Sequence, residues 1–430
     1  MPHMKPVLIF SFFLLAVLAE SADWPRFRGP NGTGISDAKN IPTTWTADDY
    51  AWTTDLPGQG HGSPVVVGNH IYLLSGDEQT AQRSVLCVNA ADGKLLWQRA
   101  FDSTPGHLHS DNNYASSTPA ADANGVVAAW TSTDSFMLVA LSNNGHEIWR
   151  RDMGEYKSAW GGAPCPIIVD DVVVILNDQM DPKIMVRFLP ETIKLTEPGK
   201  SSAIAFDRAT GKVQWKIDRR TIIAGYATPC VRQLDNGSRE IVFFGTGNGM
   251  TGVDPATGKI NWKVEDALRS RTVMSPVLAG DLIIGSHGRG LVGEKLIAVR
   301  PPNDQNDEAE VVFEIVKSIP LVPTPIYRNG LLFMTCETGI VSCIDAADGQ
   351  EIWRERVRGK FYASPICVGD RLFCVDRSGN VIVLAASEQF TKLASNPLGD
   401  DCFATPAVAN ETIYFRTASQ LIALTGKTER

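Results

Sequence analysis

The sequence predicts an all-β fold: a single eight-bladed β-propeller of four-stranded antiparallel blades, its last blade completed by an N-terminal strand. Three observations predict it. A docking phrase recurs as NAADGKLLW (89–97), DRATGKVQW (207–215), DPATGKINW (254–262) and DAADGQEIW (345–353), with a shorter copy, SNNGHEIW, at 142–149. A small residue followed by proline opens an alternating apolar stretch at Ser63, Thr118, Ala163, Thr228, Ser275, Thr324, Ser364 and Thr405. These copies lie roughly 40 to 65 residues apart, the range of propellers and solenoids. The last unit, from Ala404, supplies three strands and stops, while DYAWTTDL (49–56) offers one strand with no unit of its own.

Taken in order, residues 1–21 read as an export signal: Lys5, an apolar run from Val7 to Ala19, and small residues at Ala19 and Ser21 before a cleavage point. The run is too short to span a bilayer comfortably. Residues 22–430 then form the propeller, with the strand near 49–56 reserved for blade 8. Residues 63–97 show the plan of a blade. Runs of Val, Ile, Leu and Tyr are separated by Gly-Asn, Gly-Asp and Asp-Gly, which gives strands a to d joined by tight turns. Proline suits the first residue of strand a, where a missing N–H costs least. In DPATGK, Gly258 supplies the positive φ of a c–d hairpin and Asp254 can bond its own downstream backbone.

Trp97, Trp149, Trp215, Trp262 and Trp353 fall on outermost strands, where an indole can pack against the next blade; Trp52 does so for blade 8. Two blades depart. Blade 5 has Phe313 near the tryptophan position, after the acidic loop PPNDQNDEAE. Blade 7 reads SEQFTKLASNPL, so its seal is expected to be looser or to use Phe390.

Composition narrows the function. Net charge is −8 with few charge runs, which argues against nucleic acid. The eight cysteines permit disulfides in an exported chain, but their spacing assigns none, and most sit in apolar strand-like runs where buried thiols serve equally.

The phrase A-x-D-x-x-T-G-K-x-x-W resembles the tryptophan-docking repeat of quinoprotein (pyrroloquinoline-quinone-type) β-propellers. Ala205–Trp215 fits every position, Gly252–Trp262 departs at its first residue, and Cys87–Trp97 and Cys343–Trp353 are looser. The opening WPRFRGPNGTGIS is similar to exported bacterial propellers of this type. The resemblance implies the fold over the whole mature chain and leaves activity open. One member type is the propeller lipoprotein of the outer-membrane β-barrel assembly machinery, a scaffold; its lipid-attachment cysteine is missing here. Others are quinone-dependent alcohol or sugar dehydrogenases. The alcohol-oxidising ones carry an adjacent-cysteine disulfide and calcium ligands, and no adjacent pair occurs here.

In four-stranded blades the d–a and b–c loops share one face of the disc. The elaborations fall there: 102–116, 155–162, 177–202, 286–293 and 359–364. The residue three before each proline should ring the axial mouth: His61, Ser116, Gly161, Tyr226, Val273, Val322, Tyr362 and Phe403. The aromatic ones suit stacking on a sugar, a quinone or a peptide. Tyr114, Trp160, His287 and Arg289 join them from the loops. His107, His109 and Asp111 raise a metal site, but a His-x-His pair alone lacks the three or four ligands needed. No nucleophile elbow or H-E-x-x-H occurs. The expectation is therefore an exported, periplasmic or secreted, non-catalytic module that binds an envelope protein or peptide through its loop-rich face, with no cofactor. The alternatives are a dehydrogenase holding pyrroloquinoline quinone with calcium, and a glycan-binding propeller.

Overall fold

The computed structural model describes residues 23–185, 197–290, 292–303 and 308–426. The expected export signal lies outside them. Eight sheets surround one axis. Blade 1 runs Val65–Val67, His70–Gly76, Arg83–Asn89 and Leu95–Phe101 from the axis outward. Blades 2 to 7 repeat this at 120–152, 167–218, 230–264, 277–315, 326–356 and 366–397. The b and c strands are buried almost throughout, because each is covered on both faces by neighbouring blades. Strand d alternates exposed and covered, as in Val213–Asp218, where Trp215 faces inward. Blade 8 has strands Ala407–Ala409, Thr412–Arg416 and Gln420–Thr425. Trp52–Asp55 pairs antiparallel with the last of these, so the N-terminal region closes the ring as expected.

The repeated turn is built for an indole. Asp207 Oδ1 accepts from the Thr210 N–H at 2.7 Å and its hydroxyl at 2.6 Å, and Gly211 takes φ +65°. These bonds hold the Asp207 carboxyl below its usual range, the Thr210 hydroxyl first among them. A Cβ on Gly211 would stand 2.6 Å from the ring of Trp149, so only glycine admits it. Each indole N–H then donates to a carbonyl of the next turn: Trp52 to Ala90, Trp97 to Asn143, Trp149 to Arg208, Trp215 to Pro255.

The departures have physical causes. Blade 5 carries no docking phrase in its sequence after Arg300, and the Trp262 indole donates to buried Glu240 of its own blade at 3.0 Å. The ring lies over Gly252, where a Cβ would meet Nε1 at 2.0 Å; this is why the motif's first alanine is glycine here. Phe313 takes the tryptophan place and packs under Gly349 of blade 6. Trp353 donates to Ser387 and meets Phe390 edge-on, so Phe390 seals blade 6 to blade 7. The expectation that Phe390 or a looser seal would serve strand d of blade 7 is corrected. Trp45, 4% exposed, is wedged between Phe373 of blade 7 and Phe415 of blade 8, with centroids 6.3 and 5.8 Å away.

Blade 7 also has a fifth strand. Ile35–Ser36 pairs parallel with innermost Ile366–Val368. It belongs to a segment that crosses the axis. Trp24 pairs with Val66 of blade 1, Pro25 O accepts from Ala121 of blade 2, Asn31 bonds Val231 of blade 4 in both directions, and Gly34 and Ser36 carbonyls accept from Cys367 and Gly369 of blade 7. Innermost strands present an unpaired edge to the channel, and this segment supplies partners that a dry channel would lack.

Candidate functional site

On the face of the d–a and b–c loops, the axis widens into a cavity of about 840 Å³. Its floor combines the crossing segment, through Phe27, with the residues before the repeated prolines. Those residues form a hand-to-hand ring. The N–H groups of Ser63, Thr228, Ser275, Thr324 and Ser364 donate to the hydroxyls of Thr118, Ser275, Thr324, Ser364 and Thr405, each on the next blade, at 2.9 to 3.0 Å. Ala163 has no hydroxyl, and the Thr118 N–H turns to the Cys165 thiol at 3.2 Å. The small residue is therefore a Ser or Thr for a bonding reason, which single-blade reading could not reveal.

Three buried guanidinium groups lie behind the lining, those of Arg26 and Arg28 from the crossing segment and that of Arg416 from blade 8, beside Gly60 and Gly62. Arg26 is 7% exposed, Arg28 0% and Arg416 1%. Arg26 donates to Pro229 O; Arg28 to the carbonyls of Gly32, Thr33, Thr324, Pro325 and Pro365; Arg416 to Gly62 O. Burial draws Arg28 and Arg416 down to about 9 and Arg26 to about 10.

All but one of the residues three before the prolines line the cavity: His61, Ser116, Tyr226, Val273, Val322, Tyr362 and Phe403. Gly161, the eighth, accepts from the Tyr226 hydroxyl at 2.9 Å through its carbonyl. His61 stacks on Phe403, centroids 4.1 Å apart. Burial, then Arg416 and Arg377, pulls its imidazole down to about 4, so it is neutral at neutral pH.

The loop 102–116 reaches across the mouth. Asp111 accepts from Tyr362 at 3.0 Å and pairs with Arg377 at 2.9 Å, both on blade 7. Arg377 in turn lies over the rings of Tyr362 and Phe403. His109 lines the cavity, with Nδ1 3.7 Å from Asp111, whereas His107 is exposed away from it. Tyr114 does not line the cavity; it packs under Arg83 at 4.2 Å. Trp160 and Arg289 line the opposite wall. His287 is buried behind it, 3.8 Å from Glu294, and burial lowers its pKa. The structure thus gathers His61, His109, Trp160, Tyr226, Arg289, Tyr362 and Phe403, and leaves His107, Tyr114 and His287 off the cavity surface.

Sequence reasoning missed Arg271, whose guanidinium lies 4.8 Å over Trp160 and whose buried Nε has no partner. It also missed Phe27 and the arginines around it. Their signal was the stretch from Asp23 to Trp45, too long for a link to the first strand and assigned to no blade. The insertion of blade 3 is anchored by the buried pair Asp178–Arg219 at 2.7 Å and brings Ile184 to the cavity; its tip, 186–196, lies outside the described residues. Among the described residues, no group of three or more His, Cys, Asp or Glu could hold a metal ion. All eight cysteines are free thiols.

Comparison with known proteins agrees with this architecture. BamB from Moraxella catarrhalis superposes with a TM-score of 0.58 at 14% identity, over 89% of this chain and 98% of that one. A europium-containing methanol dehydrogenase gives 0.62 at 13% identity, over 94% and 90%. The quinohemoprotein alcohol dehydrogenase of Comamonas testosteroni gives 0.62 at 12%, over 95% and 81%. At these identities the likeness shows the fold alone. No curated protein matches the chain. The family described as outer membrane protein assembly factor BamB matches residues 46–113, 81–312 and 306–429. With nearly every blade inside those matches, the chain belongs to that BamB-like family of propellers.

Proposed function

We propose that this protein is an exported, non-catalytic binding module of the cell envelope, working through the face that carries the axial cavity. One observation carries the reading: the reactive-looking groups of the mouth are committed to one another. Asp111 is bound by Tyr362 and Arg377, the Tyr226 hydroxyl by Gly161, and the His61 ring is stacked on Phe403. A general base needs a free lone pair aimed at substrate. What remains open is an apolar and aromatic wall, the surface that recognition uses.

The dehydrogenase reading asks the same residues to hold a quinone and calcium. Calcium takes six to eight oxygen ligands. Asp111 is the only carboxylate lining the cavity among the described residues, and both its oxygens are engaged. The Trp160 face is covered by Arg271. The metal–quinone pair does not fit this donor set.

Affinity capture from envelope extract tests the proposal. A Tyr226→Ala/Tyr362→Ala variant that folds normally should lose the partner retained by the wild type. Equal capture, or dye reduction with an alcohol or aldose once quinone and calcium are added, would overturn it.

A further inference from the structure

The floor of the cavity poses an electrostatic problem. Arg26, Arg28 and Arg416 are buried, and their ionisation is perturbed by burial and thiols, with no carboxylate among the causes. They are solvated by backbone carbonyls alone, and Arg26 Nε, Arg416 Nε and Arg416 Nη2 have no partner. Arg26 and Arg28 therefore sit behind the residues that floor the cavity, and Arg416 sits behind His61, where screening by water is weak. Their desolvation is already part of folding, so an incoming anion bears only its own and gains from the charges behind the lining.

The layer above them is arranged with the same sign. In the ring, Thr324, Ser364 and Thr405 each spend a lone pair on a neighbouring N–H, which leaves the O–H hydrogen to donate. On the wall, Arg271 lines the cavity beside Trp160, with its Nε buried and unpartnered and the buried Glu337 carboxyl as an electrostatic neighbour. Ile184, Ile223, Val273, Val322 and Phe403 make the apolar part of the wall, while the one lining carboxylate among the described residues, Asp111, is held at the mouth by Tyr362 and Arg377.

We propose that the axial cavity is a receptor for a carboxylate-ended, largely apolar ligand, with the carboxylate directed to the hydroxyl ring and Arg271 and the apolar body against the wall. Two sources share this chemistry: a free organic acid, and the C-terminal end of a protein chain. The proposal deepens the binding-module reading, since it names the ligand class of the same face.

Calorimetry on the full mature chain tests it with matched pairs. The small-molecule arm compares 3-phenylpropionate with 3-phenylpropanamide. The chain-end arm compares Gly-Val-Phe with its C-terminal carboxamide. Within at least one pair the acid should bind tenfold or more tightly, about 1.4 kcal/mol, and the preference should fall with added salt. The arm with the tighter acid names the source. Arg271→Gln, with unchanged circular dichroism, should erase most of the preference. Nuclear magnetic resonance adds a readout independent of affinity: a bound carboxylate should raise the His61 pKa from about 4, and the amide should not. Equal binding of acid and amide in both pairs, or no acid binding at about 10 mM, would overturn the proposal. Partner capture that needs Tyr226 and Tyr362 would, in that event, leave the binding-module reading standing.

Discussion

His61 shows how a single residue reads differently in sequence and in structure. Its register, three before a proline, was legible, because the repeat fixes which residue precedes strand a. Its state was not, because Phe403, Arg377 and Arg416 lie more than 300 residues away in sequence, on blades 7 and 8. The consequence is measurable. The folded imidazole titrates near 4 against 6.5 when unfolded, so between those values the unfolded chain binds the extra proton. Stability conferred by neutral His61 is present above 6.5 and is lost as pH falls towards 4. His61→Phe preserves a ring for the stack and should reduce the loss of urea midpoint between about pH 7 and about pH 4.5. An unchanged loss would show that His61 is not held neutral. Thr324 and its equivalents teach the same lesson. Their size was legible, but the hydrogen bond each accepts from the preceding blade was not.

At the scale of the element, the docking turns were the most readable feature. Asp, Thr, Gly and Trp act within one hairpin and onto its neighbour, so local spacing carries the information. The exceptions were unreadable wherever a distant segment substitutes for a missing part. Glu240 takes the Trp262 indole N–H, and Trp45 replaces the absent indole of blade 7. Trp45→Ala would leave a cavity between Phe373 and Phe415 at the junction of blades 7 and 8. It should cost about 3–5 kcal/mol in chemical denaturation, the range for a buried large aromatic. A loss no greater than that from an exposed strand-d substitution such as Val213→Ala would show that the junction does not depend on it.

For the molecule as a whole, closure was legible from an incomplete last blade and an orphan strand, which pair between Trp52 and Ala423 as the count required. What precedes that strand was not, since no periodicity marks it. It bonds to blades 1, 2, 4, 6, 7 and 8, floors the cavity with Phe27, and places Arg26 and Arg28 behind the hydroxyl ring. Closure and binding site thus depend on one stretch of chain. Amide hydrogen exchange tests this most directly. The N–H groups of Val66, Ala121, Val231, Cys367 and Gly369 are bonded to that segment. They should exchange as slowly as the b–c ladders of the same blades; rapid exchange at these five, with the ladders still protected, would show that nothing occupies the axis.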